Sequence, residues 1–171
     1  MNTIYDEADF DKLSWHDCRI WGLEFHSGEP VEGDWTSDLV IDIDFIAEWV
    51  CSVESTETQF RVAPATLAFH GVTDLKLNLD WGNSGYRVAL HEVSIDRIDR
   101  EQIQGQKIFL DRPYYKWTLR LNSPQQTEIV FGAVGFTLTL RSEPLLTDRQ
   151  CLSFQNRKKI TSPSGNEGSK G

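Results

Sequence analysis

The sequence has no long hydrophobic run. No stretch approaches the roughly 18 apolar residues that a membrane-spanning helix requires, so a helical membrane protein is not expected. The opening residues, MNTIYDEADFDKL, have neither a basic nor an apolar leader region, which argues against a signal or transit peptide and makes the cytoplasm the expected address. Cysteine is scarce. Cys18, Cys51 and Cys151 are odd in number, far apart and free of CxxC spacing, which excludes a disulfide framework and a zinc site and leaves reduced, mostly buried thiols. Catalytic signatures are missing too: there is no GxSxG elbow and no HExxH. The glycines of GNSG (82–85) and FGAVGF (131–136) lack the strand-to-helix setting of a phosphate loop. No cofactor is implied, and none of His16, His26, His70 and His91 is assigned to a metal.

Basic residues are also missing from the first third. Residues 1–60 carry fifteen Asp or Glu against only Lys12 and Arg19, a balance of −13 in a chain whose total is −9. Such a field repels phosphate backbones and anionic lipid and speeds encounter with cationic partners. Nucleic acid and membrane surfaces are therefore disfavoured, and a basic protein partner is favoured.

Period-2 alternation of apolar and polar residues dominates from about residue 18 to 142. In DLVIDIDFIAEWVC, Leu39, Ile41, Ile43, Phe45, Ala47 and Trp49 fall on one face, with Val40, Asp42, Asp44, Ile46, Glu48 and Val50 on the other. A helix would break that apolar stripe. CRIWGLEFH reads likewise, with Trp21, Leu23 and Phe25 inward, and YYKWTLRLN places Trp117, Leu119 and Leu121 inward. TQFRVA and ATLAFHGV read as one strand interrupted at Pro64, since proline cannot donate to a ladder. Gly132 and Gly135 mark a turn or bulge between two short strands. DRIDREQIQ (96–104) suits a short exposed helix or a long loop. Without crossover helices a parallel α/β fold is excluded. The expected architecture is all-β: an antiparallel sandwich or rolled, barrel-like sheet of about eight or nine strands. It forms one domain over residues 1–154, followed by a disordered polar tail at 155–171.

The one adjacent base and carboxylate is in SWHD. His16 and Asp17 point to opposite sides of an extended segment and make no triad with Ser14. Trp15 is expected to plug the core, with Ser14 or Asp17 ordering a turn. The face of Asp42 and Asp44 is only partly polar, because Val40, Ile46 and Val50 share it. It reads as a solvated face, or as one that something covers. The Arg157-Lys158-Lys159 run is adequately explained by solubility. Between the first two long strands lies an acidic loop carrying an aromatic anchor. From it Glu32, Asp34, Trp35 and Asp38, with Asp42 and Asp44 of the neighbouring strand, form the expected partner-binding set. Two alternatives stand beside that reading. One is an aromatic ligand cavity lined by some of Trp21, Trp49, Trp81 and Trp117; the other is a hydrolytic or metal-dependent enzyme using His16, Asp17 and the Asp42/Asp44 face.

SWHDCRIWGLEF, DLVIDIDFIAEW and FRVAPATLAFHGVTDLKL together resemble uncharacterised bacterial proteins over most of residues 13–142. By size, charge and architecture the domain is loosely similar to immunity-type families, which neutralise toxin domains. That likeness implies a cationic protein partner and carries over no functional residue.

Overall fold

The computed structural model describes residues 3–51, 58–79, 92–104, 112–123 and 127–161. Ten strands form one open antiparallel sheet: β1 (Ile4–Tyr5), β2 (Arg19–Ser27), β3 (Ser37–Cys51), β4 (Thr58–His70), β5 (Thr73–Asn78), β6 (Val93–Gln102), β7 (Tyr115–Ser123), β8 (Thr127–Ala133), β9 (Gly135–Leu140) and β10 (Leu145–Thr147). The order is β1-β9-β4-β3-β2-β6-β7-β8-β5, with β10 alongside β4. The count of ten among the described residues exceeds the expected eight or nine because it includes β1 and β10, which are too brief to show alternation. Among the described residues, no helix is long and apolar enough to cross a membrane.

The sheet coils over on itself. Phe69 of β4 lies 4.7 Å from Phe131 of β8 and 5.1 Å from Trp117 of β7, ring to ring, although four steps separate β4 from β7 in the sheet order. Two strands turn the corner side by side. β4 passes through Gly71 (φ 62) into β5 and β8 passes through Val134 into β9, while β9 pairs with β4 and β5 with β8. Strands that change layer in this way make the corners of orthogonal packings. The core inside the coil is aromatic. Trp117 is fully buried against Phe10, Phe69, Tyr115 and Phe136, and Trp15 plugs the N-terminal end against Phe10, Phe45 and Phe136.

Alternation holds where the ladder is regular. Leu39, Ile41, Ile43 and Phe45 are buried as expected, and so are Trp117, Leu119 and Leu121. It fails at bulges, where one extra residue reverses which way the following side chains point. A register shift between Ile46 and Glu48 leaves Ala47 exposed and Trp49 partly so, although both were expected inward. Another between Ile20 and Gly22 sends Trp21 to the outer face, while Ile20 and Leu23 pack on the core. The segment 96–104 is not helical over its length, because β6 runs to Gln102. Two bulges disturb its alternation, its buried residues are Ile95 and Ile98, and its charges are met across the ladder, Asp99 by Arg120 of β7. Pro64 does not interrupt β4. It falls between the stretch that pairs with β10 (Phe60–Val62) and the stretch that pairs with β9 (Ala65–His70), where its missing N–H leaves no gap in either ladder.

Cys18 is wholly buried, and loss of hydration, aided by the Asp17 and Asp44 carboxylates, pushes its thiol up to about 12 from an ordinary 9.0. Above pH 9 the unfolded chain ionises this thiol and the native chain does not. The contribution of Cys18 to stability is thus complete below pH 9 and is lost as the pH climbs toward 12. At about 1.4 kcal/mol per unit, the loss reaches roughly 4 kcal/mol. Denaturant titrations should show an alkaline decline in the wild type that Cys18→Ala lacks. Equal declines would rule the effect out.

Candidate functional site

On β3 the outward residues are Asp38, Val40, Asp42 and Asp44, and the structure divides the acidic set between two quite different environments. Asp44 is completely buried. It accepts hydrogen bonds from Trp21 Nε1 (2.9 Å), the Leu152 backbone N–H (2.9 Å) and the Arg157 guanidinium. Asp42 accepts from both Arg141 and Arg157. Arg157 comes from α1 (Phe154–Thr161), is 7% exposed, and lies 4.7 Å from the centre of the Trp21 ring, over which Arg19 also stands at 3.9 Å. Charges survive burial when they are paired and hydrogen-bonded, and Asp44 with Arg157 meets that condition, whereas the buried Nε of Arg141 has no hydrogen-bond partner among the described residues.

Two expectations are corrected by this arrangement. The half-polar strand face is covered at Asp44 by the chain's own C-terminal segment, while the Asp42 side chain keeps 38% exposure. Asp44 cannot contact another protein without displacing α1, and Asp42 is held by two arginines. The stretch taken as a polar tail starts instead with a docked helix turn, and Arg157 serves as a counter-ion. The signal was in the sequence: two carboxylates sharing a strand face with valines call for a cation, and the Arg157 run supplies one.

The loop between β2 and β3 has the opposite character. Gly28 N–H donates to Thr36 O (2.8 Å), closing its base, and a 3₁₀ turn at Pro30–Glu32 ends on Gly33 in the left-handed region (φ 84). The Thr36 hydroxyl (2.6 Å) and backbone N–H (2.9 Å) both donate to Asp34, holding its carboxyl below the usual range. Although the loop is ordered this way, its apolar side chains point outward. Val31 is 97% exposed, Trp35 78%, and Phe25 at the adjoining end of β2 58%. Glu29 and Glu32 are exposed among them. Val31 and Phe25 were missed by the sequence analysis. Val31 stands in a loop without periodicity, and Phe25 lies opposite the buried Leu39 but beyond Arg19–Ile20, the stretch of β2 that pairs with β6.

Asp38 leaves this group. It accepts from His70 Nδ1 (3.0 Å) and the Gly71 N–H (3.2 Å), fastening β3 to the corner after β4.

Comparison with protein-family models, curated proteins and solved structures gave no match.

His16 and Asp17 do face each other, contrary to expectation, with Nδ1 2.8 Å from Oδ2. Asp17 adopts φ 64, a left-handed conformation that asparagine and aspartate tolerate, and the turn swings its carboxylate back onto the imidazole. Asn122 (2.6 Å) and Gln150 (2.7 Å) donate to the same carboxylate, which borders an open polar cleft of about 660 Å³ shared with Arg19, Glu92 and Cys151. This dyad is separate from Asp42 and Asp44, which accept from arginines, Trp21 and Leu152. The hydrolytic alternative calls for His16 or His26 within about 3 Å of Asp42 or Asp44. His26 lies instead 3.2 Å from Glu24, and His91 falls outside the described residues. Among the described residues no group of three His, Cys, Asp or Glu is placed to hold a metal ion. The aromatic-cavity alternative is also unsupported by ring placement: Trp117 fills the core, Trp21 is sandwiched into the ionic cluster, Trp49 lies against Phe60 at 5.0 Å, and Trp81 is outside the described residues.

Proposed function

We propose that this chain is a protein-interaction domain that binds a basic protein partner through the tip of the β2–β3 hairpin, in the manner of a toxin-neutralising or regulatory protein. One observation carries the reading: Trp35 and Val31 are held out in an ordered loop whose other side chains include the exposed carboxylates Glu29, Glu32 and Asp34. An aromatic ring ringed by charge is the composition of an interface hot spot, where the ring fills a pocket and the charges steer the encounter. Asp44 is buried, and Asp38 and Asp42 are engaged by His70 and by Arg141 and Arg157 within the fold, so the contact set is Glu32, Asp34 and Trp35, extended by Val31 and Phe25.

The test is capture of partners from the source cell, identification of the captured chain, and measurement of its binding as a purified pair. Trp35→Ala should weaken binding by about 2 kcal/mol, roughly thirtyfold, chiefly through faster dissociation. Glu32→Lys with Asp34→Lys should slow association and flatten its salt dependence. Asp38 is left intact because its loss would disturb the corner. A partner that is not basic, or one whose binding ignores all three changes, ends the proposal.

A further inference from the structure

Three polar side chains, Asp38, His70 and Thr137, stand in line across the outer face of the sheet. Leu39 pairs with Phe69 and Phe69 with Phe136, all three pointing into the core, so their neighbours Asp38, His70 and Thr137 project from three adjacent strands to the outside. His70 Nδ1 lies 3.0 Å from Asp38 Oδ2, and His70 Nε2 lies 3.1 Å from Thr137 Oγ1. The proton positions follow from chemistry. A carboxylate only accepts, so Nδ1 carries the hydrogen; the neutral imidazole then offers a lone pair at Nε2, and the Thr137 hydroxyl must donate to it. A carboxylate that fixes the tautomer, a base aimed at a hydroxyl, and a hydroxyl giving its proton to that base are the parts of an activated nucleophile.

The relay opens on a cavity. His70 and Thr137 both line a cleft of about 470 Å³, together with the apolar Val134 and Phe136, the Tyr115 ring and the cation Arg112. Two carboxylates border it as well: Asp6, which caps the Ala8 N–H, and Glu7, which accepts from the Phe136 N–H.

We propose that Asp38, His70 and Thr137 form an acyl-transfer site for small carboxylic esters with an apolar acyl group, an activity separate from partner binding at the hairpin tip. Thr137 Oγ attacks the ester carbonyl carbon while its proton passes to His70 Nε2, and Arg112 is the cation that meets the developing oxyanion. The carbon–oxygen bond to the alcohol breaks, and the alcohol leaves with the proton from Nε2. Water, deprotonated by the same nitrogen, then releases the acid and restores the threonine. Thr137 and His70 are the catalytic residues; Asp38 is a positioning residue.

The probe is p-nitrophenyl acetate on the full chain, read as nitrophenol release and as acetyl mapped by peptide mass. The expected result is acetyl on Thr137, with release falling by about a hundredfold or more in Thr137→Val and His70→Gln and retained in Thr137→Ser. Asp38→Asn can donate its amide to Nδ1, which moves the imidazole hydrogen to Nε2 and removes the acceptor. Its release should fall, and the limb of the pH profile that reports the neutral imidazole should vanish, while Thr137→Ser keeps that limb. Should Asp38→Asn fail to fold, the Thr137→Val and Thr137→Ser pair, which alters only an outward side chain, decides alone. Acetyl confined to lysines, or release unchanged in Thr137→Val, overturns the proposal.

Discussion

Arg157→Ala should lower the melting temperature by about 10 °C. The substitution leaves Asp44 fully buried with only the Trp21 and Leu152 N–H groups, and leaves Asp42 with Arg141 alone. Stranding one member of a buried ion pair costs about 3–5 kcal/mol, and in a domain of this size each kcal/mol moves the midpoint by roughly 2–4 °C. An exposed pair such as Arg61 with Glu48 should contribute at most about 1 kcal/mol when broken, so Arg61→Ala is the natural control. Thermal unfolding of both variants, followed by circular dichroism, checks the contrast. If Arg157→Ala melts like Arg61→Ala, the buried cluster does not hold the C-terminal segment in place. Asp44→Leu combined with Arg157→Met should recover only part of the loss, because the apolar pair escapes the desolvation cost that the ions incur but leaves the Trp21 Nε1–H and the Leu152 N–H without their acceptor.

Trp117→Ala should be as damaging, by about 3–5 kcal/mol, through a different mechanism. The indole is wholly buried where β4, β7 and β9 meet inside the coil. It touches Phe69 and Phe136 from the opposite side and donates through Nε1 to Ala133 O at 3.3 Å. Alanine leaves a cavity that backbone on several sides cannot close. Trp117→Phe keeps most of the contact area and forfeits the hydrogen bond, so its cost should be clearly smaller. Urea titration should shift the midpoint of both variants without changing the slope, because the amount of surface exposed on unfolding is nearly the same.

The features readable from the sequence are those fixed by neighbours along the chain. Leu39 to Phe45 and Trp117 to Leu121 reveal their inward faces because a regular strand has a period of two, and the all-β architecture follows from them. Trp21 and Trp49 were assigned to the wrong face because each follows or occupies a bulge, and a bulge is decided by the partner strand. The encounter of His16 with Asp17 depends on one left-handed backbone angle that no pattern of residue types marks. The site residues divide by the same logic. Trp35 and Asp34 could be placed in an acidic loop from composition alone, whereas the burial of Asp44 depends on Arg157, more than a hundred residues along the chain. Asp38 and His70 lie 32 residues apart and His70 and Thr137 lie 67 apart, and only the order of three strands aligns them.

The corner where β4 runs into β5 and β8 into β9 has a consequence in time. The β2, β3 and β4 hairpins join neighbours in the chain and can zip up early, since closing a short loop sacrifices little chain entropy. Neither half of the bent pair can do so: β4 must wait for β9, β5 must wait for β8, and Ile4 finds Thr139 only after nearly the whole chain has been gathered. Sheets dominated by such distant pairings fold in milliseconds to seconds, whereas helical bundles take microseconds to milliseconds. During that interval the unpaired flank of β4 is a bare strand edge able to recruit another molecule, so refolding yield should fall as protein concentration rises even where the native chain is stable.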